Sequence, residues 1–225
     1  MDIHTRIAIA SLLVSAAAVL AQTSAQRPPA PNAGKVGGKV EVLVMPSGSP
    51  KSLFQLVRHS TLIVDGTVSG VMPVLNTNKD PNAPPHLETH SIVAVNAVLS
   101  GTVPNSSAHI LVAEIGGQIG NWNFSVKGNA LVSPGERYIF FLLSDEREEL
   151  PNTSGMPRFA VTGVWAGKVK VTNGKVSFAA SAGSQLTGAY NGQSVGAFLQ
   201  ALDAAINHPY TDADTKLPIN LALTP

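Results

Sequence analysis

The chain has 225 residues, 15 basic and 14 acidic side chains, a formal charge of +1 and no cysteine. The missing cysteine excludes disulfides, thiolate metal sites, cysteine nucleophiles and the acylated cysteine of a lipoprotein anchor. Its lysines and arginines are scattered without interleaved aromatics, which argues against a nucleic-acid partner, and only 13% of residues are charged, which suits a β-rich exported protein better than a helical cytosolic enzyme.

The first signal is the apolar run Ile7 to Leu20, preceded by the single basic residue Arg6. It has the length of a signal-peptide core and falls short of the ~20 residues that span a bilayer. Small residues place cleavage after Ala21 or Ala25, so residues 1–25 are expected to be removed. The mature protein is then secreted or periplasmic, with no membrane anchor. An exported domain without disulfides favours a bacterial source, and its stability must come from its core alone.

Residues 26–39, rich in proline, glycine and alanine, read as a flexible linker. A single β domain is expected over 40–207, followed by a weakly patterned C-terminal tail, 208–225. Val40 to Met45 is the first strand candidate, and Ser52 to His59 suits a short helix. Thr61 to Val68 opens the main β region, with Gly66 marking a bulge. Residues 73–85 read as a polar loop, and Leu87 to Leu99 as a long strand whose odd positions face the core.

Further strands are expected at His109 to Ile115, Arg137 to Leu143, Arg158 to Gly163 and Val164 to Thr172. The run at 137–143 is apolar throughout, as in a strand buried on both sides. Asn173-Gly174 signals a tight hairpin, because both turn positions tolerate positive φ. Ser194 to Asn207 is the one convincing helix: Ser194 can cap it, and Val195, Phe198, Leu199, Leu202 and Ile206 form one apolar stripe.

Several of these stretches, taken together, resemble a group of exported bacterial domains of unassigned function. They are Leu62–Val68, Val93–Gly101 (with Ser100 where those domains carry lysine), Gly116-Gly117, Pro134–Tyr138 with Phe140–Leu142, Gly163–Lys170 and the final helix. Those domains are similar in layout to the small OB-like barrel of netrin modules and tissue inhibitors of metalloproteinases. Over residues 52–207 the resemblance implies a mainly β, OB-like barrel of five to seven strands with a C-terminal amphipathic helix. The inhibitors chelate their target's metal through an N-terminal cysteine, which this chain lacks, so no functional residue is carried over from them.

Two sets of residues carry candidate chemistry. In a strand, His86, Glu88 and His90 would share one face about 7 Å apart, and imidazole with carboxylate suits zinc or a similar divalent metal. That face is the more polar one, where solvated side chains are expected, and all three groups would have to converge within ~2 Å of one ion. Trp122, among Asn121, Asn123 and Gly120, is the aromatic placed for ligand contact, whereas Tyr138 and Trp165 are expected in the core. The acidic stretch Asp145 to Glu149 reads as a solvated loop, and no G-x-S-x-G, P-loop or H-E-x-x-H is present. The leading expectation is an exported, non-catalytic binding or interaction module for an exported protein or small ligand. Its rivals are a metal-dependent enzyme on His86, Glu88 and His90, and a structural component of the envelope.

Overall fold

The structure, a computed structural model, describes residues 39–42, 50–76, 86–145, 155–179 and 182–208. The expected signal peptide, the linker up to residue 38, the strand candidate beyond Val42 and the tail beyond His208 lie outside the described residues.

The elements in chain order are β1 (Lys39–Val42), α1 (Leu53–Arg58), β2 (Leu62–Asn76), β3 (His86–Ser100), β4 (His109–Ile115), β5 (Gly117–Ile119), β6 (Trp122–Val126), β7 (Arg137–Ser144), β8 (Arg158–Val161), β9 (Lys168–Thr172), β10 (Lys175–Phe178), α2 (Ser184–Tyr190) and α3 (Val195–Ile206). Seven strands form one sheet in the order β10-β9-β7-β2-β3-β4-β8, and β8 also pairs with β7, so five strands close a ring. β4 and β8 run parallel; the other neighbours in the ring are antiparallel. Counted along the chain, the ring runs first-second-third-fifth-fourth and back to the first, an OB-like connectivity. A second sheet, β1-β6-β5, pairs β1 parallel to β6.

Alternation along the strands builds two cores. Leu62, Val64 and Val68 of β2, Val93 of β3, Ile110 and Val112 of β4, Tyr138, Phe140 and Leu142 of β7, and Phe159 and Val161 of β8 fill the ring. On the opposite face of β2 and β7, Ile63, Ile139 and Phe141 join Val169, Val176 and Phe178 beneath the three helices. Each fully buried side chain of this size stabilises by roughly 1.5–3 kcal/mol. Leu56, Leu186, Phe198 and Leu202 supply the helical side of that layer. Ser52 and Ser194 cap α1 and α3 by accepting from the backbone N–H of Gln55 and Ala197.

Several sequence expectations need correction. β2 runs on to Asn76 through Pro73, where a loop was expected. Beyond Thr67 β7 no longer pairs with β2, so a proline there removes no bond to that neighbour. Thr162 to Gly167 is a turn between β8 and β9 rather than strand. α2 was not foreseen: its N-cap residue is Gly183, which offers no capping side chain. The bulge expected at Gly66 is present, and a Cβ there would lie 2.4 Å from Val93 Cγ1. The Asn173-Gly174 turn has φ of 52° and 71°, as the hairpin requires.

One ion pair ties β2 to β7 on the ring's flank. Arg137 donates to both carboxylate oxygens of Asp65, at 2.9 and 2.5 Å, and Asn96 donates to the same carboxylate at 3.2 Å. The Arg137 hydrogen bonds hold the Asp65 carboxyl below its ordinary value of 3.8, although burial works against them. A depressed carboxyl contributes stability above its unfolded pKa and loses it as pH falls through the folded one. Urea unfolding of the wild type is therefore expected to lose stability from about pH 3.8 downward. Asp65→Asn should start less stable at neutral pH and show a flatter acid limb.

Candidate functional site

Where β4 ends, the backbone turns at Gly116, whose φ of 119° favours glycine, and enters β5. The short β5–β6 hairpin and the segment after β6 then enclose a cleft of about 340 Å³. Ile115, Gly116 and Gly117 form one side, Gln118 with Asn123 to Val126 the hairpin side, and Asn129 with Leu131 the third. The volume lies in the range of small-molecule sites, roughly 300–1,000 Å³. None of the described lining residues is charged: three side-chain amides, one hydroxyl and a phenyl ring are set among aliphatic side chains.

The cleft is held from behind by a buried lysine. Lys168 enters from β9 and is 4% exposed. Its ammonium pairs with the Glu114 carboxylate and donates to Asn129 Oδ1 at 2.8 Å and the Ala130 carbonyl at 2.6 Å, which uses all three protons. Asn129 in turn donates through Nδ2 to the Ile115 carbonyl at 3.3 Å, and its backbone N–H to the Val126 carbonyl at 3.0 Å. One side chain thereby fixes the end of β4 and the segment after β6 relative to each other.

A second network lies along the same strands. Lys170, two residues on from Lys168, pairs with Glu136, which also accepts from the Tyr138 hydroxyl at 2.6 Å. Burial opposes ionisation of Glu136, yet Lys170, Tyr138 and the Ser133 N–H hold its carboxyl below the ordinary range. Burial and the Glu136 carboxylate push the Tyr138 hydroxyl well above its ordinary pKa.

Among the residues singled out from the sequence, His86, Glu88 and His90 do come together. The register sets Glu88 opposite Ile115 and His90 opposite Ala113, on the face of β3 that points away from the ring. His86 Nε2 lies 3.0 Å from Glu88 Oε1 and His90 Nε2 lies 3.4 Å from Glu88 Oε2. The solvated row expected here is instead buried, with Glu88 1% and His90 4% exposed. Two flanking imidazoles give the carboxylate hydrogen-bonding partners, which lets the row leave water without a bare charge. Each ring addresses a different oxygen of one carboxylate, and among the described residues no group of three His, Cys, Asp or Glu side chains could hold a metal ion.

Trp122 is half-buried at the β5–β6 hairpin, paired with Ile119 and next to Asn123 of the cleft, but outside its lining. Tyr138 and Trp165 are buried, as expected. The Asp145 side chain is not solvated: it is 3% exposed and pairs with Arg158 at 3.1 Å. The sequence reading missed Gln118, Asn123, Asn129, Glu114 and Lys168. The Gly116-Gly117 pair was the one local sign of a backbone turn at this place.

Among the described residues no helix is long and apolar enough to cross a membrane. The fold and cleft define a mainly β domain of OB-like connectivity with a small cleft of uncharged lining beside the ring. No family model matches the chain, and no curated protein matches it.

Replacing Lys168 alone strands the Glu114 carboxylate, so Lys168→Met should cost roughly 3–5 kcal/mol in urea unfolding. Replacing the pair, Lys168→Met with Glu114→Leu, should restore most of that stability, because a buried ion pair contributes little over packed apolar groups. Amide hydrogen exchange of residues 127–131 should nevertheless stay faster in the double variant than in wild type. Equal protection there would show that Lys168 does not hold the cleft wall.

Proposed function

We propose that the protein is an exported, non-catalytic binding module whose small ligand occupies the cleft between the β4–β5 bend, β6 and the segment after it. The observation carrying this reading is the cleft itself, a concave site of neutral hydrogen-bonding groups and apolar walls. It is fixed in advance by the fully engaged Lys168 ammonium. Preorganisation of this kind lowers the ordering cost of binding. The resemblance to exported bacterial domains and the apolar run at 7–20 support the location.

The test is native mass spectrometry of the protein isolated from its own exported fraction. Wild type should retain a bound small molecule, and Asn123→Leu, which replaces a hydrogen-bonding amide of the lining by an apolar side chain, should lose it. Trp122→Ala separates two surfaces: retention places the ligand in the cleft alone, loss extends the site to the hairpin. A wild type without bound mass, in the face of added exported fluid, would remove the reading.

The rival reading, a metal-dependent activity on His86, Glu88 and His90, would need both imidazoles to leave the Glu88 oxygens that their Nε2 atoms address. Zinc titration by calorimetry decides it. One equivalent bound by wild type and lost in His90→Ala would establish a metal site, and a flat titration would end the idea.

A further inference from the structure

The chain contains two Asn-Gly dipeptides, Asn173-Gly174 and Asn191-Gly192, and the fold treats them in opposite ways. We propose that Asn173 is a site of spontaneous covalent modification, passing through a cyclic imide to isoaspartate, while the fold shields Asn191 from the same reaction.

The chemistry needs no reagent but water. The Gly174 backbone nitrogen gives up its proton and attacks Asn173 Cγ. The Cγ–Nδ2 bond breaks, and ammonia leaves carrying that proton. Water then adds to one of the two carbonyls of the imide ring. Breaking the bond between the main-chain carbonyl carbon of residue 173 and the Gly174 nitrogen yields isoaspartate; breaking the new bond at Cγ yields aspartate. The net change is water taken up and ammonia released, with nothing oxidised or reduced.

The side-chain amide must swing onto the following nitrogen, and that nitrogen must be open to reaction. Both conditions hold at the tip of the β9–β10 hairpin, where Asn173 and Gly174 are exposed. No other part of the chain lies within 4 Å of the place a Cβ on Gly174 would take. Among the described residues no hydrogen bond holds the Asn173 amide or the Gly174 N–H, and the ladder closes behind them at Thr172 and Lys175. Ring closure requires Asn173 to leave its φ of 52°, and exposed turn tips open at the low end of a fold's local stability.

At Asn191 every reacting group is engaged. Its Oδ1 accepts from the Phe178 N–H at 2.7 Å, and its Nδ2 donates to the Phe178 carbonyl at 3.4 Å. The Gly192 nitrogen, which would have to attack, donates its N–H to the Val176 carbonyl at 2.9 Å. Reaction there must wait until this segment leaves the edge of β10.

Modification at 173 reaches beyond the turn. The Gly174 carbonyl accepts from the Val195 N–H at 2.9 Å, and Lys175 bridges to Ser194, so the tip is tied to the start of α3. Isoaspartate inserts a methylene into the main chain just before that carbonyl and draws it off Val195.

The experiment is a peptide map of the full chain after incubation at mildly alkaline pH, with chromatography and mass spectrometry that separate asparagine, aspartate and isoaspartate. In the folded protein isoaspartate at 173 should accumulate at least about tenfold faster than at 191, whose hydrogen bonds must open first. In guanidinium chloride the two sites should react at similar rates. Equal or faster reaction at 191 in the folded protein would overturn the proposal, as would no reaction at 173. A difference that survives unfolding would belong to the flanking residues and would overturn it too. In the modified fraction the Val195 amide should exchange about tenfold faster than in fresh protein. Unchanged exchange would overturn the link to α3.

Discussion

Tyr138, Phe140 and Leu142 point into the ring while Ile139 and Phe141 point beneath the helices, so β7 has neither face available to water. Everything else is arranged to cover that strand. β2 takes one of its edges, and two strands share the other: β9 pairs along 137–140 and β8 along 142–144. The changeover falls at Phe141, whose N–H donates to the Gly167 carbonyl and whose carbonyl accepts from Thr162. A Cβ on Gly167 would lie 2.6 Å from the Phe141 oxygen and 2.7 Å from that of Thr162, so only glycine fits. The same turn holds Val164 at a φ of 64°, with Trp165 N–H bonded to the Gly163 carbonyl. A β-branched residue in that conformation is strained, and the paired strands on either side hold it there.

The parts of this architecture that the sequence displays are local ones. The apolar run at 137–143, the Asn173-Gly174 turn and the stripe of α3 each state their structure within a dozen residues. α2 leaves no such trace, since seven residues with glycine before and within them carry neither cap nor long stripe. The parallel pairing of β4 with β8 joins Leu111–Ala113 to Arg158–Ala160 across the whole β5–β7 region. Hydrophobic periodicity records which face of a strand is buried but not which strand lies beside it, and the ring depends on that second fact.

The candidate site divides in the same way. Period-two spacing placed His86, Glu88 and His90 on one face correctly, because strand geometry alone decides it. Their burial was not legible, since it depends on how the carboxylate is satisfied. Lys168, Glu114 and Asn129 looked like ordinary polar residues on separate segments: 54 residues separate the first pair and 39 the second. Only a folded ring brings an ammonium from β9 to the end of β4. Trp122 was picked out for its polar neighbours, and of those Asn123 rather than the indole lines the cleft.

The parallel pairing of β1 with β6 gives the cleft a mechanical role in the molecule. Lys39 to Val42 align with Asn123 to Val126, and the last four of these residues are also cleft wall. The chain that precedes Lys39 therefore enters the domain through the strand paired with the cleft wall. Tension on that leading segment, whether from a tether or from a partner held at the N-terminal side, is borne first by the four-residue β1–β6 ladder and only afterwards by the ring.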